Sequence, residues 1–515
     1  MRRLREPRPW VVLAVLFAGA ALLSALTALK GVQPNDEGLM LQAARRIAGG
    51  QVPYRDFWWF YPPGQPYLLG GLWKLFGPSL VEWRVVRVAA DASVATLAYM
   101  LARRAAPAPL AVAAWLAAAC AMAFPSGPHP FPIALALALG ALLTFERRPV
   151  VAGVLAGLCA AWRIEFAGYL AVGVAVAHLI GRDPPRGRLR RLARFALPAA
   201  LVGAVLYVPV VAAAGLGRAW ELLVRYPLLD FQKYQSLPFP WRHAGGLDVE
   251  GNLNFYLPLA LIVGLAGSVA GLGARFGRAQ AGTAATCVFA LGMAHYLLVR
   301  TDLFHAAPLA VVVSVLAAWA IGAFVARPRG RPGAPVRRAL AAAGALGAAI
   351  GLGWALADGL AHRVRGVQQH MVALRVPTAD GVDERPAVAA SLVRAVDYVR
   401  ARVPPGRPIY VTGARADLVT SGNPLFYVLA ERRNPTRYDI AAPGVVTSGP
   451  VQREIVADLE TARPRVVVRW AAPVTALPEP NRAGRSSGVR ILDGYLARRY
   501  RVDRRYGFYV LLGRR

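Results

Sequence analysis

Lysine, cysteine and acids are scarce in this chain, and each shortage narrows what it can be. Lysine occurs only at positions 30, 74 and 233, so arginine carries nearly all of the net charge of +32. Cysteine occurs only as Cys120, Cys159 and Cys287, each inside an apolar run and none at metal or redox spacing. That excludes a disulfide framework and a cysteine-zinc site. Acids number 28 against 60 bases. An excess of positive charge can mark nucleic-acid binding. Here the arginines sit in short loops between apolar runs, which is how loop charge sets membrane orientation, so no nucleic-acid partner is expected. Glycine-rich phosphate signatures are missing too: Val411-Thr412-Gly413-Ala414 follows a strand-like run but carries no further spaced glycines.

What the chain has in quantity is apolar sequence, 56% of 515 residues. A membrane helix needs roughly 20 mainly apolar residues. Candidate spans fall at 10–29, 80–102, 107–124, 130–146, 149–163, 164–181, 194–214, 254–274, 280–299, 305–326 and 339–358, about 11 in all. With a cytoplasmic N-terminus, successive inner loops hold Arg103 and Arg104, Arg147 and Arg148, the run 182–194, Arg275 and Arg278, and the cluster from Arg327 to Arg338. Every one obeys the positive-inside rule. The same alternation puts the loop 30–79, the His129 turn, Arg163–Glu165, the loop 215–253, Arg300–His305 and everything after residue 360 outside.

The expected fold is therefore a polytopic α-helical membrane domain over 1–360, with first outer loop 30–79, and an extracytoplasmic α/β domain over 361–515. In the latter, 408–413, 465–470 and 507–512 read as strands, and 423–433, 450–463 and 488–500 as helices. The expected location is the inner (cytoplasmic) membrane, among membrane lipids.

In the first outer loop, Glu37–Ile47 reads as an amphipathic helix with Asn35-Asp36 at its N-cap. Capping explains Asp36 but neither Glu37 nor Asp56, nor the aromatic run Phe57-Trp58-Trp59-Phe60-Tyr61, which also suits an interfacial belt. Ionisable groups cluster again in Trp162-Arg163-Ile164-Glu165 and in Arg300-Thr301-Asp302-Leu303-Phe304-His305, where ion pairing or snorkelling is the plainer alternative. His129 reads as a structural residue of a proline-rich turn. Arg225, Tyr226, Lys233, Tyr234, Trp241, Arg242 and His243 form a basic-aromatic surface.

The stretch NDEGLMLQAARRIAGGQVPYRDFWWFYPPGQPYLLGGLWKLFG, residues 35–77, resembles the first outer loop of GT-C membrane glycosyltransferases. The likeness is to family-39-like members related to protein O-mannosyltransferases and lipid A aminoarabinose transferases. It rests on Asp36-Glu37 after the first span, the small-residue helix, Pro62-Pro63 and the helix ending Leu75-Phe76-Gly77. Elsewhere it is architectural only. It implies a polyprenyl-phosphate-linked sugar donor, inverting transfer of a hexose or pentose, and a lipid, glycan or protein acceptor. On that reading Asp36 and Glu37 are catalytic, with Asp36 the base that takes the acceptor proton. Asp56, Arg163, Glu165, Arg300, Asp302 and His305 bind substrate, the arginines holding phosphate in a fork. A divalent cation on Asp56 is open. The competing readings are a transporter or flippase for a lipid-linked saccharide, and a glycan polymerase or ligase using lipid-pyrophosphate donors. The first would show matched halves, and no clear repeat is visible.

Overall fold

A computed structural model describes residues 8–122, 129–180, 184–237, 256, 278–326 and 335–515. The first helix, α1 (Pro9–Ala28), starts on a proline whose missing N–H costs nothing at a helix start. The segment that follows, expected as the first outer loop, folds into α2 (Asp36–Ala48) and α3 (Gly64–Phe76). Next come α4 (Leu80–Ala102), α5 (Ala108–Met122), α6 (Phe131–Thr144), α7 (Pro149–Trp162) and α8 (Ile164–Ile180). α9 (Pro185–Ala214) is longer than the apolar run that predicts it, because the arginine-rich segment before residue 194 continues the helix. Later spans are α12 (Arg278–Val299), α13 (Leu303–Val325) and α14 (Pro335–Gln368). The candidate span at 254–274 lies outside the described residues.

Six of these helices are long and apolar enough to cross a membrane, and α5 to α8 are shorter apolar helices. Along α9, Leu197, Leu201, Val205 and Val208 stay exposed, which suits hydrocarbon rather than water. Its other side meets α7 through Gly153 and Gly157. A Cβ on either would lie 2.1 Å from Phe195 O or 2.6 Å from Ala199 O. Small residues four apart let two membrane helices approach this closely.

The described part of the loop expected at 215–253 is helical. It holds α10 (Leu216–Trp220), a π-helical stretch at Glu221–Asp230 and α11 (Gln232–Gln235). Tyr226 is not a surface residue but packs edge-on against Trp58, 4.9 Å between ring centres. Trp241, Arg242 and His243 lie outside the described residues.

The C-terminal region begins with a short ribbon of β1 (Val372–Ala373) and β2 (Asp383–Glu384). A helix that the sequence reading did not mark, α15 (Pro386–Arg402), leads into β3 (Tyr410–Thr412). Then follow α16 (Leu425–Ala430), α17 (Gly449–Ala462), β4 (Val466–Trp470), α18 (Ile491–Arg499), β5 (Tyr500–Tyr506) and β6 (Tyr509–Arg514). The sheet order is β3-β4-β6-β5. β3 runs parallel to β4, with Val411 opposite Val468. β6 is antiparallel to both neighbours, with Val468 opposite Leu511 and Val502 opposite Leu512.

One buried core joins this sheet to the first outer loop: Leu39, Leu41, Phe57 and Trp59 pack with Leu425, Val467 and Leu511. A second core fills the space between the spans. The aromatic run 57–60 is therefore buried inside protein and is not an interfacial belt. Polar contacts close the same seam. Arg46 pairs with Asp439 at 2.5 Å, and Arg45 Nη1 donates to Tyr427 O. Leu425 N donates to Pro34 O. At Gly38 the helix backbone lies so near α16 that a Cβ would stand 2.2 Å from Leu425 N.

Candidate active site

The strap from Ala28 to Glu37 carries Asp36, and one buried arginine fixes its course. Arg84 of α4 donates Nη1 to Ala28 O, Nη2 to Gly31 O, and Nε and Nη2 to the two Glu37 oxygens at 3.0 and 2.9 Å. Glu37 is fully buried and also accepts from Gln33 N. Three hydrogen bonds, two from Arg84 and one from Gln33 N, engage both its oxygens. In this arrangement Glu37 anchors the residue before it rather than standing open in the site. From the far side Glu384 accepts from Val32 N at 2.8 Å, so the C-terminal region helps hold the strap.

Asp36 opens α2, yet no side chain caps this helix. Asn35, expected as part of the cap, instead donates Nδ2 to Asp36 at 3.1 Å and accepts from Gly422 N. The Asp36 carboxylate is left 53% exposed, and Oδ2 faces His129 Nε2 at 3.8 Å. The surrounding protein works to raise the Asp36 carboxyl, but His129 and Asn35 outweigh it and hold the group below the usual carboxylate range. Asp36 is thus an ionised acceptor with free lone pairs.

Around it stand the groups from two later turns. Arg163, between α7 and α8, pairs with Glu165 at 3.1 Å and donates to Tyr296 OH at 2.7 Å. It lies over the rings of Tyr61 and Tyr296, 5.6 and 5.2 Å from their centres. Its Nε is buried without a hydrogen-bond partner among the described residues. Asp302 caps α13 by accepting from His305 N, and contacts His305 Nδ1 at 2.6 Å. His305 in turn packs on Tyr296. Packing works to raise the Asp302 carboxyl, but His305 and Arg300 hold it below the usual range. Arg300 is fully engaged, by Asp302, Gln235 and Glu479.

The outer turns expected to share one face thus meet in space. Asp36 feels the charges of His129 and Asp302, while Tyr61 feels those of Asp36, Arg163 and Glu165. Asp56 does not join them. Its Oδ2 accepts from Val52 N at 2.7 Å and both its oxygens pair with Arg55, closing a tight turn with Tyr54 at φ 69°. In this arrangement Asp56 serves the turn. Among the described residues no group of three or more His, Cys, Asp or Glu could hold a metal. Asp56, Glu37 and Asp302 are engaged by Arg55, by Arg84, and by Arg300 and His305, which leaves Asp36 as the open carboxylate of this group, and no step is routed through a cation.

Sequence reasoning read His129 as structural and missed Arg84, Arg87 and Asp91. The last three lie at i, i+3 and i+7 on α4. Arg87 pairs with Asp91 at 2.7 Å and donates to Met122 O, and Ser24 donates to Asp91. Three ionisable residues on one face of an apolar span are a readable signal for a buried polar seam. For His129 the available signal was its place on the same outer face as Asp36.

By sequence, no family model and no curated protein matches the chain. Solved structures match its fold. ArnT from Cupriavidus metallidurans in the apo state aligns at a TM-score of 0.55 and 17% identity, over 98% of this chain and 98% of that one. ArnT bound to undecaprenyl phosphate aligns at 0.54 and 15% identity, over 98% and 97%. The oligosaccharyltransferase AglB from Archaeoglobus fulgidus aligns at 0.46 and 14% identity, over 89% of this chain and 69% of its own. The chain is a multi-pass membrane protein with a sheet-containing C-terminal domain. Its fold is that of ArnT over nearly the whole chain.

Proposed function

We propose that this chain is an inverting glycosyltransferase that moves a sugar from a polyprenyl-phosphate donor to an acceptor hydroxyl at the outer face of the cytoplasmic membrane. The observation that carries the reading is Asp36: an ionised carboxylate, half open, facing His129, a ring that the Arg163 and Arg87 charges also reach. In the transfer the acceptor oxygen bonds to the anomeric carbon as the bond from that carbon to the phosphate oxygen breaks. The electron pair leaves on the lipid phosphate, and Asp36 takes the acceptor proton. Arg163 suits the leaving phosphate, because its buried Nε has no partner among the described residues. The paired rings of Tyr61 and Tyr296 hold its guanidinium plane in place. ArnT has been solved with undecaprenyl phosphate bound, which supports a lipid phosphate of that class as leaving group. The arginine-rich loops support the proposed orientation.

The test is purified protein in lipid nanodiscs with a panel of radiolabelled polyprenyl-phosphate sugars and acceptor extracts. One donor should be consumed, with free polyprenyl phosphate released. Consumption of none, together with no saturable binding of undecaprenyl phosphate, overturns the reading.

A further inference from the structure

His129 is 6% exposed, and neither of its ring nitrogens has a hydrogen-bond partner among the described residues. A buried imidazole without partners gives up roughly 1–3 kcal/mol that an apolar side chain of similar shape would not. Two rings hold it in place. Phe304 lies 4.2 Å from its centre and Phe131 lies 6.3 Å away. The polar group that faces it is Asp36, 3.8 Å from Nε2. The other charges acting on the ring are Arg163 and Arg87, both repelling a proton there, and Asp302 acts one residue further on, through Asp36.

Resting on the proposed transfer, we propose that His129 is a positioning residue that receives the proton Asp36 has taken from the acceptor. The acceptor O–H bond breaks and its proton moves to Asp36 Oδ2. It then passes to His129 Nε2, which becomes imidazolium, while the electron pair of the glycosidic bond leaves on the phosphate. No other reactant is needed. The resting charge states agree. Burial pushes His129 below the ordinary imidazole value, so it waits neutral, while Asp36 stays ionised. An imidazole is also the more basic of the two partners, so the proton settles there during transfer and leaves for solvent by way of the half-open Asp36 carboxylate before the next turnover. The 3.8 Å separation closes to hydrogen-bond range with a shift of under about 1 Å, an ordinary adjustment when a site fills with substrate.

The experiment compares the pH dependence of kcat/KM for wild type, His129→Phe and His129→Gln, with Asp36→Asn as control. Without His129, Asp36 loses the partner that favours its charged form. It then protonates at higher pH, so the acidic limb of the His129→Phe profile moves upward and the plateau falls roughly tenfold or more. His129→Gln, whose amide can donate to Asp36, should keep the limb near the wild-type position while losing rate. A lower plateau with an unmoved limb in His129→Phe, in protein that elutes as a folded monodisperse species, overturns the inference and leaves the transfer reading intact. An active Asp36→Asn overturns the transfer reading itself.

Discussion

Arg300, in the turn before α13, closes a two-pronged ion pair with Glu479 of the C-terminal region, at 2.8 and 3.0 Å. A carboxylate here fills the fork that would otherwise grip two phosphate oxygens. Asn481 steadies Glu479 at 2.9 Å and reaches across to Ser236 O. The same arginine cannot hold Glu479 and a lipid phosphate together. Glu479→Gln should therefore tighten undecaprenyl phosphate binding by roughly fivefold, the worth of a partly exposed ion pair of ~1 kcal/mol. Arg300→Ala should weaken it. Equal affinities in all three proteins, measured by tryptophan quenching, would show that Arg300 lies outside the donor site.

The Arg300–Glu479 pair also sets a pH dependence. Packing works to raise the Glu479 carboxyl, but Arg300 and Asn481 hold it below the ordinary glutamate range. A lowered value in the folded state means that the pair contributes fully above the unfolded value and is lost as pH falls through the folded one. The segment 477–485 should show faster amide exchange, corrected for intrinsic rate, as pH drops from 7 toward about 4. In Glu479→Gln that acid-dependent increase should vanish.

Glu37 and Arg84 are both fully buried, so removing one partner leaves the other charged and unpaired. Arg84→Met should cost about 3–5 kcal/mol in detergent unfolding experiments. Replacing both residues by apolar ones should recover much of that stability, since a buried pair is often no better than packed hydrocarbon. If Glu37 acted on substrate instead, Glu37→Gln would abolish transfer with little loss of stability.

Gly38 should tolerate no larger side chain. A Cβ there collides with the Leu425 backbone, and overpacking of that kind costs about 1–3 kcal/mol. Gly38→Ala should loosen the contact between α2 and α16, read as increased protease sensitivity of the C-terminal region. An unchanged digestion pattern would contradict the seam described here.

Helix positions were largely legible because long apolar runs leave few alternatives in a bilayer. The run 80–102 matches α4 residue for residue, and the strand 465–470 lies within one residue of β4. What remained hidden depended on tertiary partners. Nothing local marks Arg84 as the clamp of a strap 47 residues earlier, or Glu384 as a second clamp. The aromatic run 57–61 looks interfacial until the C-terminal domain is placed over it. Asp56 and Glu37 read as acids free for chemistry, yet Arg55 and Arg84 claim them. Asp36, Arg163, Asp302 and His305 were readable because span counting puts their turns on one side. His129 shares that side, but a single histidine in a Pro-rich turn carries no periodic pattern to set it apart.

The central claim is that the Asp36 carboxylate takes the acceptor proton. It is tested most directly by single-turnover transfer with wild type and Asp36→Asn, each preloaded with labelled donor. The account predicts that Asp36→Asn binds donor with near wild-type affinity and elutes as folded protein, yet transfers sugar roughly 10²–10⁴-fold more slowly. Transfer at the wild-type rate by Asp36→Asn would contradict it.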